Sequence, residues 1–265
     1  MSRLNKELGL LQGVALLSTS LLGTGIFVVP ALAATAAGAA SLWAWMILIA
    51  LVLPVAFTFA QLGKRFPHAG GAPHLIGRAF GQRMEGVSAL LFLAVLPVGL
   101  PAALHIASGF WLALFDLDRV GLLAIELATL AAILLLGQRP PKASGLLQGL
   151  IAVAIVASVA LIWWMGDLPR TSQPLLPAMD GQWHLLPTAL GVMFWCFVGI
   201  EAFTHLGEEF KRPERDFPLA LLLGVLLAGL VYWAFSVAVL SFGVYGDVHS
   251  DAASLPRLMH MLDRK

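Results

Sequence analysis

The residue best placed to do chemistry in this chain is Glu201, a carboxylate deep in an apolar run and close to a glycine in Trp195-Cys196-Phe197-Val198-Gly199-Ile200-Glu201. Ionised at the centre of a membrane helix, a carboxylate costs at least about 2.5 kcal/mol, so such a group is protonated, paired or facing water. Two readings stand side by side: a carboxylate that exchanges a proton, and a neutral Glu hydrogen-bonded between helices. The next candidate is Ser18-Thr19-Ser20-Leu21-Leu22-Gly23-Thr24-Gly25-Ile26-Phe27, where two glycines flank a hydroxyl residue and Pro30 follows. Glycine permits φ > 0, and a helix broken there frees several N–H groups at the start of its second half. Those amides and the positive helix end suit a carboxylate.

Glycine and serine also line close-packed helix interfaces, and Gly9-Leu10-Leu11-Gln12-Gly13 and Gly145-Leu146-Leu147-Gln148-Gly149 both match the small-xxx-small pattern. Taken alone, Gly23-Thr24-Gly25 favours packing. Gly25-Ile26 and Gly199-Ile200 together shift that weighting, because two interrupted helices in corresponding places are how transporters build a site.

The other membrane-depth titratable groups carry less. Glu126 has aliphatic or small neighbours and no helix break beside it, which reads as structural hydrogen bonding. His105 and His205 have no partner at zinc-ligand spacing on their own helix; His205, four residues from Glu201, is close enough to share its proton, yet interface or packing roles are the better reading for both. No metal site and no cofactor are expected. Cys196 is the single cysteine, which excludes an intramolecular disulfide. With no HExxH, GxSxG or P-loop pattern, neither hydrolase nor ATP-driven chemistry has a foothold, and the chain does not read as an enzyme.

The elements that must hold these residues are apolar helices. Of 265 residues, 59% are apolar and 12% charged, too few charges for a soluble surface. A net charge of +1 leaves no basic excess for nucleic acid. A helix needs about 20 apolar residues to cross about 30 Å of hydrocarbon, and seven stretches approach this, at about 10–36, 42–63, 86–112, 120–137, 145–166, 184–206 and 218–243. The expected fold is an all-α polytopic membrane protein, one transmembrane domain over 1–265. Arg3, Lys6 and Ala31-Leu32-Ala33 imitate a cleaved leader, but the apolar run is too long for one and more spans follow.

With the N-terminus in the cytoplasm, Arg3, Lys6, Lys64, Arg65, Arg78, Arg83, Arg139, Lys142, Lys211, Arg212 and Arg215 fall inside, and only Arg119, Arg170, Arg257, Arg264 and Lys265 outside. Trp43, Trp45, Trp111, Trp163, Trp164 and Trp183 lie near span ends, as interfacial anchors do.

The sequence resembles the amino acid-polyamine-organocation transporter superfamily, and within it the bacterial exporters of methionine and branched-chain amino acids. The motifs that carry this are Gly23-Thr24-Gly25-Ile26-Phe27, Phe66-Pro67-His68-Ala69-Gly70-Gly71, Val95-Leu96-Pro97-Val98-Gly99-Leu100-Pro101, and Phe194 to Phe203 followed by Glu208-Glu209-Phe210-Lys211-Arg212-Pro213-Glu214-Arg215-Asp216-Phe217-Pro218. The resemblance implies a LeuT-like inverted-repeat fold with broken helices 1 and 6, working around a site between the breaks. It implies that Thr24, Gly25 and Ile26 hold a substrate carboxylate. The carbonyls near Trp195, Cys196, Val198 and Gly199 would take its ammonium group, with Trp195 as a wall or gate and Glu201 as the proton-coupling residue. Ile26, Phe27, Trp195, Phe197 and Ile200 make that pocket apolar, which suits an uncharged hydrophobic amino acid.

The family continues for several more spans where this sequence stops at Asp263-Arg264-Lys265, so the fold is expected to be truncated after the seventh transmembrane helix, with 252–261 as the approach to an eighth. The expected function is secondary active export of neutral hydrophobic amino acids by proton antiport, in a bacterial inner membrane. Its partners are the amino acid, protons and the lipid bilayer. The alternative is a non-transporting remnant or an amino-acid-binding membrane protein, because the second repeat is incomplete.

Overall fold

Apolar runs punctuated by glycine and proline fold as helices throughout the computed structural model, which describes residues 8–23, 25–115, 117–138, 141–168, 181–247 and 254–263. The first run is divided into α1 (Leu10–Leu22), a 3-10 turn (Gly25–Phe27) and α2 (Val29–Ala37). Then come α3 (Ala40–Arg65), α4 (Gly71–Phe80), α5 (Gln82–Leu114), α6 (Arg119–Gly137) and α7 (Pro141–Gly166). A second divided run holds a 3-10 turn (Gln182–Leu185), α8 (Leu186–Phe194) and two more 3-10 segments (Trp195–Phe197 and Glu201–Glu209). Helices α9 (Asp216–Phe242) and α10 (Ser254–Asp263) complete the described chain.

Five stretches, Ala40–Arg65, Gln82–Leu112, Leu147–Gly166, Gln182–Glu209 and Asp216–Phe242, are long and apolar enough to cross a membrane. The protein is therefore an all-helical polytopic membrane protein. Residues 10–36 supply no such single helix because the chain breaks at Gly23, where φ is +32°. Helix α4 lies between the second and third expected spans; ten residues carrying His74 and Arg78 are too short and too polar to register as a span.

Long-range backbone bonds sort the helix ends into two sides. Leu8 N–H donates to the Glu209 carbonyl (3.0 Å) and Lys211 N–H to the Leu8 carbonyl (2.9 Å), so the start of α1 and the end of the second divided run lie together. The far end of α2 meets the segment after α9, where Gly246 N–H donates to Thr35 Oγ1 at 2.9 Å. Successive crossings of one membrane produce this alternation.

Helix α9 is the buried centre, packed by α1, α2, α3 and α7. Small residues let it close in: a Cβ at Gly224 would lie 2.7 Å from Leu17, and one at Gly13 in α1 would lie 2.5 Å from Phe210 and 2.9 Å from Ala220. Close approach of backbones is what small residues supply where no hydrophobic drive exists between helices in lipid. Gly149 of the second small-xxx-small pattern meets nothing within 4 Å. Helix α9 ends at Gly243 in the left-handed conformation, with Val244 N–H returning to the Val239 carbonyl, which is a Schellman stop. In contrast, α5 leaves Leu90, Leu91, Leu93, Val95, Leu96 and Val98 exposed.

Candidate functional site

The two divided runs meet. A Cβ built on Gly25 would stand 3.7 Å from Cys196 Sγ and 2.6 Å from the hydroxyl oxygen of Tyr232, so only glycine leaves room for the sulfur and the phenol at the break. Tyr232 comes from α9, is fully buried, and donates its hydroxyl to the carbonyls of Leu21 (2.9 Å) and Leu22 (3.1 Å). Those carbonyls close α1 and have lost their next-turn donors; in hydrocarbon each needs a partner. The acceptor end of the break is thus capped by protein. Its donor end, the amides that open the Gly25–Phe27 turn and α2, is where a helix presents N–H groups and a positive end to an anion.

Behind Tyr232 lies a polar seam. Trp45 of α3 stacks on it with ring centroids 4.8 Å apart and an interplanar angle of 13°. The Trp45 indole donates to Ser236 Oγ at 2.6 Å. Phe197 leans on the same ring at 6.4 Å. Trp45 is therefore not the interfacial anchor its place near a span end suggested: it is fully buried, and its N–H is used inside the protein. Trp163 also turns inward, donating to the Ala234 carbonyl at 2.8 Å.

The second break centres on Gly199, whose φ of +110° is open to glycine alone at ordinary cost. Gly199 N–H donates to Glu201 Oε2 at 3.1 Å, so the half-buried carboxylate folds back over the interruption. The Trp195 carbonyl accepts Val198 N–H at 3.1 Å. Beyond Glu201 the run winds as nine residues of 3-10 helix, where positions i and i+3 eclipse. That winding turns His205, four residues on, off the face of Glu201. The His205 ring nitrogen bonds the Ala202 carbonyl, and its Cβ packs against Gly71 of α4.

Of the residues expected at the site, Gly25 and Cys196 are brought together, Ile26 is fully buried beside them, and Gly199 and Glu201 form the second turn. Trp195 and Val198 are not drawn in; they are 58% and 54% exposed. Thr24 lies outside the described residues. Sequence reasoning missed Tyr232, Trp45 and Ser236. A signal existed for Tyr232: it is one of only two tyrosines and sits mid-run, where a phenol must find a partner.

Membrane-length helices with two facing interruptions are the framework of a permease, and the chain belongs to the amino acid permease family, whose model matches residues 8–258. It is 55% identical over 262 residues to the L-methionine/branched-chain amino acid exporter YjeH of Escherichia coli, a match covering 99% of this chain and 63% of that protein. An uncharacterized amino acid permease of Bacillus subtilis, YecA, is 29% identical over 261 residues, covering 97% of this chain and 60% of its own. The cadaverine/lysine antiporter of Escherichia coli is 28% identical over 272 residues, 95% of this chain and 57% of that protein. This chain thus spans about three-fifths of the length of these relatives. The expected likeness to this family is borne out.

Proposed function

We propose that this chain serves as a secondary active exporter of neutral hydrophobic amino acids, methionine and branched-chain amino acids among them, by proton antiport across a bacterial inner membrane. The observation that carries the reading is the meeting of Gly25 and Cys196, which brings the two divided helices together. The likeness to an exporter of these amino acids supports the substrate class, and the likeness to an antiporter supports exchange.

In this reading Thr24, Gly25 and Ile26 receive the substrate carboxylate. Tyr232 caps the α1 carbonyls, and the opening amides of the second half-helix are the groups offered to the anion. Carbonyls around Cys196, Val198 and Gly199 take the ammonium group. Glu201 carries the coupled proton: protonated, it keeps one oxygen as acceptor for Gly199 N–H, and the change of charge is felt at the break itself. The inverted-repeat arrangement, the single transmembrane domain and a cytoplasmic N-terminus belong to the same proposal, supported by the matched Gly-Ile pairs and the distribution of basic residues.

The test is efflux of labelled methionine and leucine from cells expressing the chain. Faster efflux that responds to external pH, with a flattened response in Glu201→Gln, is the expected result. Efflux no faster than in control cells sinks export, and efflux that ignores pH in wild type and variant alike removes proton coupling.

A further inference from the structure

Helices α5 and α6 set two protonatable side chains against each other at membrane depth. His105 Nδ1 lies 3.8 Å from Glu126 Oε1. Both sit roughly 10–14 Å from the α5–α6 turn at about 1.5 Å per residue. Glu126 thus has a specific partner on the neighbouring helix, which spacing within its own helix gave no way to see.

The surroundings are built for more than packing. Pro97 and Pro101 interrupt α5 just before His105, and each withdraws an amide from the carbonyl four residues earlier. Leu100, Pro101, Leu104 and Leu130, with His105 and Glu126, line a hollow of about 540 Å³. Glu126 also borders a second, smaller hollow beside Ser108 and Thr129. At 3.8 Å the pair is too far apart for a direct hydrogen bond but within ion-pair distance.

We propose that His105 and Glu126 together form a proton-binding site within the membrane, distinct from Glu201 and on a different pair of helices. An imidazole beside a carboxylate carries net charge −1; one proton makes the pair neutral, held as imidazolium and carboxylate, and a second makes it +1. A lone charge is costly in hydrocarbon, and one shared proton spares both groups that cost. His105 is 83% exposed and Glu126 26%. No other titratable residue lines either hollow. The elements that also pack on α5 bring His74, which faces Glu85, and Arg78 from α4, and Arg257, which pairs with Asp247, and His260 from α10. Arg119 opens α6 near the turn. Use of this proton in exchange rests on the antiport reading; its binding does not.

The experiment is infrared difference spectroscopy of the purified chain in lipid nanodiscs, titrated from alkaline to acid. A protonated-carboxyl C=O band, marking the second proton, is expected to form, to vanish in Glu126→Gln, and to form at a proton concentration about tenfold or more lower in His105→Gln, since the partner imidazolium charge is lost. If Glu126→Gln does not fold, Glu126→Asp displaces the same band instead of deleting it. A titrating band indifferent to changes at Glu126, or a midpoint unmoved in His105→Gln, overturns the site. Neither readout involves flux, so the pair and the export reading fail or stand separately.

Discussion

The hydroxyl of Tyr232 lies 2.9 Å from the carbonyl oxygen of Leu21, across 211 residues of sequence. The bond joins the centre of the most buried helix to the broken end of α1. It means that the interruption is held open by a tertiary contact, on top of the conformational freedom of Gly23. A neighbouring carbonyl, Leu22, shares the same donor at 3.1 Å.

Tyr232→Phe keeps the stack on Trp45 and removes only the donor. The expected loss is about 1–3 kcal/mol, the cost of leaving buried acceptors unpaired. Thermal unfolding in nanodiscs, followed by tryptophan fluorescence, measures it, and an unchanged midpoint means that the two carbonyls find another donor.

Gly25→Ala places a methyl group 2.6 Å from the Tyr232 oxygen, well inside contact distance. Overpacking of this kind costs about 1–3 kcal/mol. In Tyr232→Phe the oxygen is gone, so the double variant is expected to lose less than the sum of the two single losses. A double-mutant cycle on unfolding midpoints reads this coupling; strict additivity would place the two residues out of contact.

The two small-xxx-small patterns are expected to respond oppositely. Gly13→Ala drives a methyl group into Phe210 and Ala220 and destabilises by about 1–3 kcal/mol. Gly149→Ala meets open space and, in the middle of a helix, is expected to be neutral or stabilising by about 0.5–1 kcal/mol. Equal effects at the two positions would contradict the packing described.

Glu201→Gln retains an oxygen for Gly199 N–H, so the fold is expected to be kept, whereas Glu201→Ala loses that acceptor at about 1 kcal/mol. Comparing the two by thermal unfolding separates the structural part of Glu201 from its charge. A Gln variant as unstable as the Ala variant would assign the carboxylate a purely electrostatic role in folding.

The helical, membrane-embedded class was legible because composition and run length alone decide it: uninterrupted apolar stretches with few charges have no other way to pair their backbone groups in lipid. The breaks at Gly23 and Gly199 were legible for a local reason, since glycine is the residue that adopts their backbone angles at little cost. The small amphipathic helix α4 was not, because ten mixed residues give no span-length signal.

What only the tertiary structure decided is which distant groups complete each local need. Trp45 reads as an interfacial ring from its position, yet Ser236, 191 residues away, takes its N–H inside the core. His205 stands one α-helical turn from Glu201 on paper, and the 3-10 winding carries it elsewhere. Glu126 reads as a solitary carboxylate until α5 is laid beside α6 and His105 comes within 3.8 Å. Backbone conformation follows from a residue and its neighbours, whereas a polar side chain in a membrane is satisfied by whatever another helix brings to the same depth.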